Sequence, residues 1–311
     1  MSLVAMVVLV SALLSAALMG MAIQRGATCL VVAIDEALTH RAYARALAIG
    51  EAALWVGGLL AIAQLAGALK MYPALYAATG WTVLGGMLLG IGAWVNKSCV
   101  FGSIAKIGSG QWAWLATPPG YFLGSLFALE SPASIGHPEP FANAGLVALA
   151  FGVLLLWRLV EAARAPDLFS HLWHPHRATL IIAITFASTL LTVGLWAYTD
   201  ALAALAHSMD AVLGLRSIMV IALLLGATAG GWFAGKLKWE RPALGLVLRC
   251  LGGGALMGFG GSLVPGSNDG LIMVGLPLLQ PHAWLAVAAM ALSIAACITL
   301  SSWLGGRAAA G

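Results

Sequence analysis

The chain has 311 residues, of which 61% are hydrophobic and only 8% charged, against about 25% charged in soluble domains, and its mean hydropathy is +0.97. This composition places it in a lipid bilayer. The net charge of +4 comes from scattered lysines and arginines, without the basic runs that a nucleic-acid partner requires. The four cysteines have no CxxC spacing, and neither an HExxH motif nor a Walker lysine occurs, so no metal, no cofactor and no enzymatic activity are expected.

Apolar runs of about 20 residues predict nine spans in chain order, near 2–22, 46–68, 76–94, 112–129, 142–163, 178–199, 212–234, 243–262 and 283–304. Met1 to Met21 lacks a basic leader region and reads as a retained first span. After it comes the polar turn Gln24-Arg25-Gly26-Ala27-Thr28-Cys29, followed by an apolar segment too short to cross, Thr28 to Leu38. Two more short segments, Ser98 to Ile107 and Ser267 to Leu278, follow the third and eighth spans. Non-helical backbone survives at membrane depth only where protein or a water-filled cavity satisfies it, so all three are expected as re-entrant or half-helical elements inside the bundle.

The segments after the third and eighth spans are copies. Gly85, Gly86, Gly90, Gly92 and Gly102 align without a gap on Gly253, Gly254, Gly258, Gly260 and Gly270, 168 positions later, and Cys99 aligns on Ser267. Five predicted spans separate the copies, so they run in opposite directions. The expected fold is all-α and polytopic: about nine transmembrane helices plus short re-entrant helices, with an inverted internal repeat. Residues 1–165, with re-entrant segments at 24–38 and 95–111, form the first half; residues 166–311, with one at 263–282, form the second.

Basic residues set the direction. Arg25, Arg41 and Arg45 follow the first span, Arg158, Arg164 and Arg177 border the loop after the fifth, and Lys236, Lys238 and Arg241 follow the seventh. The 130–141 loop instead carries Glu130 and Glu139. The positive-inside rule makes the basic loops cytoplasmic, the N-terminus periplasmic or extracellular, and the C-terminus, with Arg307, cytoplasmic.

Candidate pathway residues cluster at the breaks. Cys99 lies where a short helix starts, and free amides there, with Lys97 two residues away and Ser98 between, favour an anion and a thiolate. Cys29 repeats that chemistry beside Arg25. In the second copy Gly266, Ser267 and Asn268 offer a hydroxyl, an amide and exposed backbone, and Gly102 belongs to the copied frame. Asp269 would repel an anion unless it is protonated or paired, for instance with Lys97 or Lys106. Cys250, beside a snorkelling Arg249, and Cys297 read as packing residues. His171, His174 and His176 lie in a loop and do not complete a metal-ligand set.

Together these motifs resemble the YeeE/YedE family of bacterial inner-membrane sulfur transporters. Gln24 to Cys29 is similar to the family's first cysteine signature. Gly90-Ile91-Gly92 through Cys99 to Gly110 is similar to the second, and Gly258-Phe259-Gly260 through Gly266 to Gly270 to the third. The resemblance implies an hourglass-shaped bundle whose three cysteines hydrogen-bond thiosulfate as it passes. Here Cys29 and Cys99 match the first two, whereas Ser267 replaces the third. The expected function is therefore a permease importing thiosulfate or a related small sulfur anion. The alternatives are a sulfur-relay protein forming a persulfide on Cys99, and a channel for another small anion. A cytoplasmic sulfur carrier or sulfurtransferase is the expected soluble partner.

Overall fold

The computed structural model describes residues 3–26, 29–69, 72–127, 134–137, 141–166, 173, 175–194, 196–207 and 214–308. Thr28, His171 and His174, and the side chains of His176 and Arg307, lie outside them. The chain is helical, as its apolar runs require. Helix α1 (Leu3–Gly26) is followed by the short α2 (Leu30–Thr39), then α3 (Ala44–Leu65), α4 (Gly80–Val95) and the short α5 (Val100–Gly108). A 3-10 turn (Trp112–Ala116) leads into α6 (Thr117–Ser125), and α7 (Ala144–Ala163) crosses to the second half. There, α8 (Pro175–Val193), α9 (Tyr198–His207), α10 (Leu215–Phe233) and α11 (Leu244–Leu263) are followed by a one-turn α12 (Ser267–Gly270), which continues as a π-helix (Leu271–Gly275), and by α13 (Pro281–Ala308). Two short strands, β1 (Leu75–Tyr76) and β2 (Ser134–Gly136), pair antiparallel.

Among the described residues, seven helical runs are long and apolar enough to cross a membrane, and α8 with α9, bent by 44°, makes an eighth. The protein is therefore an all-α, multi-pass membrane protein. The span expected at 112–129 differs from this reading: it divides into the 3-10 turn and the nine-residue α6. The cause is local, because Pro118 and Pro119 lack the backbone N–H that a continuous helix needs and are tolerated only in a helix's first turn. The three short segments are helical, and 5–39 and 80–108 each count as one apolar run, so the breaks after α1 and α4 fall inside these runs.

Glycine dictates the central crossing. A methyl group on Gly85 would lie 2.8 Å from the Gly260 carbonyl oxygen, and one on Gly260 2.9 Å from that of Gly85. Gly92 and Gly253 form the same reciprocal pair, at 2.8 and 2.7 Å. Rising numbers on α4 meet falling numbers on α11, so the two helices cross antiparallel with backbones almost in contact. Small residues make such an approach available where lipid supplies no hydrophobic drive between helices. The outer faces of Gly86 and Gly90 receive α13 through Ala286 and Met290, while those of Gly254 and Gly258 receive α6 through Thr117 and Tyr121.

This correspondence extends along the chain. Moved by 168 positions, the bounds of α2 fall on those of α9, and those of α5 fall within one residue of the α12–π segment. The pairings follow suit: α1 packs on α10 as α3 packs on α8, and α2 meets α13 as α9 meets α6. Helix α7 lies in the first half and, among the described residues, has no counterpart in the second; it is exposed along most of its length through Leu146, Leu149, Val153, Leu156 and Trp157, as a lipid-facing helix should be.

Candidate functional site

Two polar breaks interrupt the apolar interior. The first lies between α4 and α5. Its hub is Asn96, fully buried, whose amide donates to the Ser98 carbonyl (2.7 Å) and to Ser103 Oγ (2.9 Å). Its Oδ1 accepts from Thr117 Oγ1 (3.0 Å), and its backbone carbonyl accepts from Trp114 Nε1 (3.0 Å). Asn96 thus ties the end of α4 to the break, to α5, to the 3-10 turn and to the start of α6. Residues 97–99 then turn sharply, with Lys97 at φ +57°.

This turn brings the two expected cysteines together. Cys29 is the residue before α2, Cys99 the residue before α5, and both are buried. The Cys99 backbone N–H donates to Cys29 Sγ (3.5 Å), and Cys29 Sγ lies 3.6 Å from Ser98 Oγ. Gly102 makes room: a Cβ there would sit 2.6 Å from Cys29 Sγ. Two thiols and a hydroxyl therefore lie at the amino ends of two helices, where unpaired amides and aligned peptide dipoles carry partial positive charge.

The basic residues expected to reinforce this charge lie elsewhere. Lys97 is exposed, and its carbonyl accepts from Lys106 Nζ (3.0 Å), which also sits 3.9 Å from the centre of the Trp114 ring. Arg25 lies over Trp173, 5.5 Å from the ring centre. Neither lysine reaches Asp269, so the pairing considered for that carboxylate is replaced by another, described below. Cys250 is buried against Ile107, Ala113 and Trp114, and Cys297 is half-buried; neither joins the pair.

The second break lies between α11 and α12, where Gly266 (φ +86°) and Ser267 (φ +50°) reverse the chain after Pro265. Only glycine adopts the first of these conformations without strain. The Ser267 hydroxyl is hydrogen-bonded to that of Tyr121 on α6. Asp269 is buried and accepts from the Thr199 backbone N–H (3.1 Å) through Oδ2, so its carboxylate caps the amino end of α9. Asn268 is fully buried, and among the described residues neither of its side-chain polar atoms has a hydrogen-bond partner; the same holds for Asp269 Oδ1.

The two breaks meet in the interior. Phe101, two residues past Cys99, and Asp269, two past Ser267, line one small void with Ile23, Ala197, Tyr198 and Met273. Phe101 and Asp269 are themselves 168 positions apart. Sequence reasoning did not single out Thr117, Tyr121, Thr199 or Asp200. The detectable signal was a polar residue inside or beside an apolar run, as in Tyr198-Thr199-Asp200; its partners lie far away in the chain.

Among the described residues, no group of three or more histidine, cysteine or acidic side chains could hold a metal ion. A family model described as "Sulphur transport" matches residues 25–296, nearly the whole chain. No curated protein matches it.

Proposed function

The chain belongs to the sulfur-transport (YeeE/YedE) family, and from that premise we propose that it is a permease that passes thiosulfate or a related small sulfur anion between its two polar breaks. Family and fold together make it a multi-pass membrane protein that carries a small sulfur compound. The observation supporting the finer reading is the buried Cys29–Ser98–Cys99 cluster at two helix amino ends. Helix-end amides stabilise negative charge, and thiols and hydroxyls supply the soft and hard hydrogen-bond donors that a sulfur oxyanion accepts. Full burial favours passage of a small anion over a visit by a soluble acceptor protein, which puts the persulfide relay and its sulfur-carrier partner second.

The reciprocal glycine pairs and recurrent helix bounds support an inverted repeat, with residues 1–165 and 166–311 as its halves. In repeats of this kind discontinuous helices present their amino ends to substrate near the midplane. Candidate pathway residues are Cys29, Ser98, Cys99 and Gly102 from one half and Gly266, Ser267 and Asn268 from the other, with Arg25 and Lys97 at the margin. On the positive-inside reading the N-terminus is periplasmic, the C-terminus cytoplasmic, and the location the bacterial inner membrane.

The test is uptake of labelled thiosulfate, sulfite, sulfate and sulfide into proteoliposomes by the parent, Cys29→Ala, Cys99→Ala and Ser267→Cys. Thiosulfate should enter, and losing either thiol should slow it by about tenfold or more, the equivalent of one charge-assisted hydrogen bond. Parental rates in Cys99→Ala would remove that residue from the pathway. No uptake of any of the four anions by the parent would end the permease reading.

A further inference from the structure

We propose that Asp200 and Asp269 form a proton relay that couples anion passage to proton entry; this rests on the permease reading above. Asp269 is buried, and among the described residues no lysine, arginine or histidine forms an ion pair with it. One of its oxygens caps α9 and the other, Oδ1, has no partner. A bare carboxylate at membrane depth is strongly disfavoured unless it is neutralised, and ionisable groups retained there mark ion and proton paths.

Asp200 supplies the connection to water. It lines a cavity of about 270 Å³ with Tyr76, Gly270, Gln280 and His282. Gly270, directly after Asp269, has no side chain to separate the carboxylates, and a Cβ there would lie 3.6 Å from Asp200 Oδ2. The His282 Nδ1 atom is buried and, among the described residues, without a hydrogen-bond partner, and its ring packs edge-on against Tyr76, centres 5.3 Å apart. Burial and the charge of Asp200 both raise the Tyr76 phenol above its ordinary range, so Tyr76 acts there as a neutral hydroxyl.

The remaining titratable and charged groups facing the pair are Tyr121 from α6, Tyr198 from α9 and Arg216 at the start of α10. Arg216 is exposed and acts on Asp200, and among the described residues no ion pair supplies the inner carboxylate with a countercharge. A proton from cavity water passes to the Asp200 carboxylate and then to Asp269 Oδ1. Neutral Asp269 no longer repels an anion that passes the void it lines with Phe101. The proton leaves with the anion on the thiol side, which restores the carboxylate; no bond to sulfur forms and nothing is oxidised or reduced.

The experiment uses the full chain, with two readouts. Dicyclohexylcarbodiimide, which attacks protonated carboxyls in apolar surroundings, should modify Asp269 in the purified parent and fail as the medium is made alkaline. In proteoliposomes holding a pH-sensitive dye, an acid exterior should drive thiosulfate in and acidify the lumen with it, each pH unit raising one-to-one accumulation about tenfold. Asp269→Asn should abolish the response to the gradient, Asp269→Glu should restore part of it, and Asp200→Asn should slow proton entry. Three results would each overturn the proposal: no carbodiimide adduct on Asp269 at any pH, undiminished coupling in Asp269→Asn, or uptake driven by a sodium gradient instead. A pH-dependent adduct in a parent that takes up no sulfur anion would leave the proton site standing and remove the permease reading.

Discussion

The break at 96–99 and the break at 264–267 lie 168 positions apart, each between a long glycine-rich helix and a short one, yet they handle polar groups in opposite ways. In the first, Asn96 satisfies its whole amide, ties α4 to α6 and leaves the thiols of Cys29 and Cys99 against helix amino ends. In the second, valine stands 168 positions after Asn96, and an asparagine lies instead at 268, where its side chain has no partner among the described residues. Where the first half has Phe101, the second has Asp269. One break is a rigid, satisfied frame around a soft site; the other holds unsatisfied polar atoms, which native interiors tolerate mainly where a ligand or ion completes them. The two breaks lie between helices with matching bounds, yet six of the seven residues at 96–102 differ from those 168 positions later, and each break has its own chemistry.

The comparison fails at its foundation if the two halves do not share a glycine crossing. Gly92→Ala and Gly260→Ala each push a methyl against a facing carbonyl oxygen and should lower stability by similar amounts, about 3 kcal/mol for overpacking. Gly252→Ala lies on the same helix as Gly260 with nothing within 4 Å of the new methyl, and should be neutral or stabilising by up to about 1 kcal/mol. Thermal unfolding in detergent, followed by monodispersity, measures all three; a wide gap between the two mates would break the symmetry.

Next in size is the contrast between the asparagines. Asn96→Leu removes the side-chain bonds that Thr117 and the Ser98 carbonyl make to Asn96 and one of the two bonds of Ser103, and should cost about 2 kcal/mol or more, whereas Asn268→Leu removes no side-chain hydrogen bond found among the described residues and should change stability by less than about 1 kcal/mol. If both substitutions were equally damaging, Asn268 would be a structural residue and its place in the pathway would be lost. Tyr121→Phe tests the link across the second break: loss of the hydroxyl beside Ser267 should cost about 1 kcal/mol in the same assay. The smallest effect belongs to the start of α4, where Thr79 and Thr82 form a capping box. Thr82→Ala should cost about 0.5 kcal/mol and leave anion uptake unchanged, which separates frame from site.

The membrane class, the helical breaks and the 168-residue glycine frame were legible in the amino-acid order alone. Hydrophobic composition demands a bilayer, apolar run length counts helices approximately, and the glycine spacing recurs where backbone contact tolerates nothing larger. Even there, Pro118 and Pro119 defeated a reading based on apolar content, because a missing N–H divides a helix without changing its hydropathy. Cys29 and Cys99 could each be picked out as special, but their meeting depends on how α2 and α5 converge across 70 residues. Packing likewise placed Lys97 outward, capped α9 with Asp269, and brought Asp200 beside it from a distant helix. A side chain's partners follow from which helices touch and at what register, and only the assembled bundle settles that.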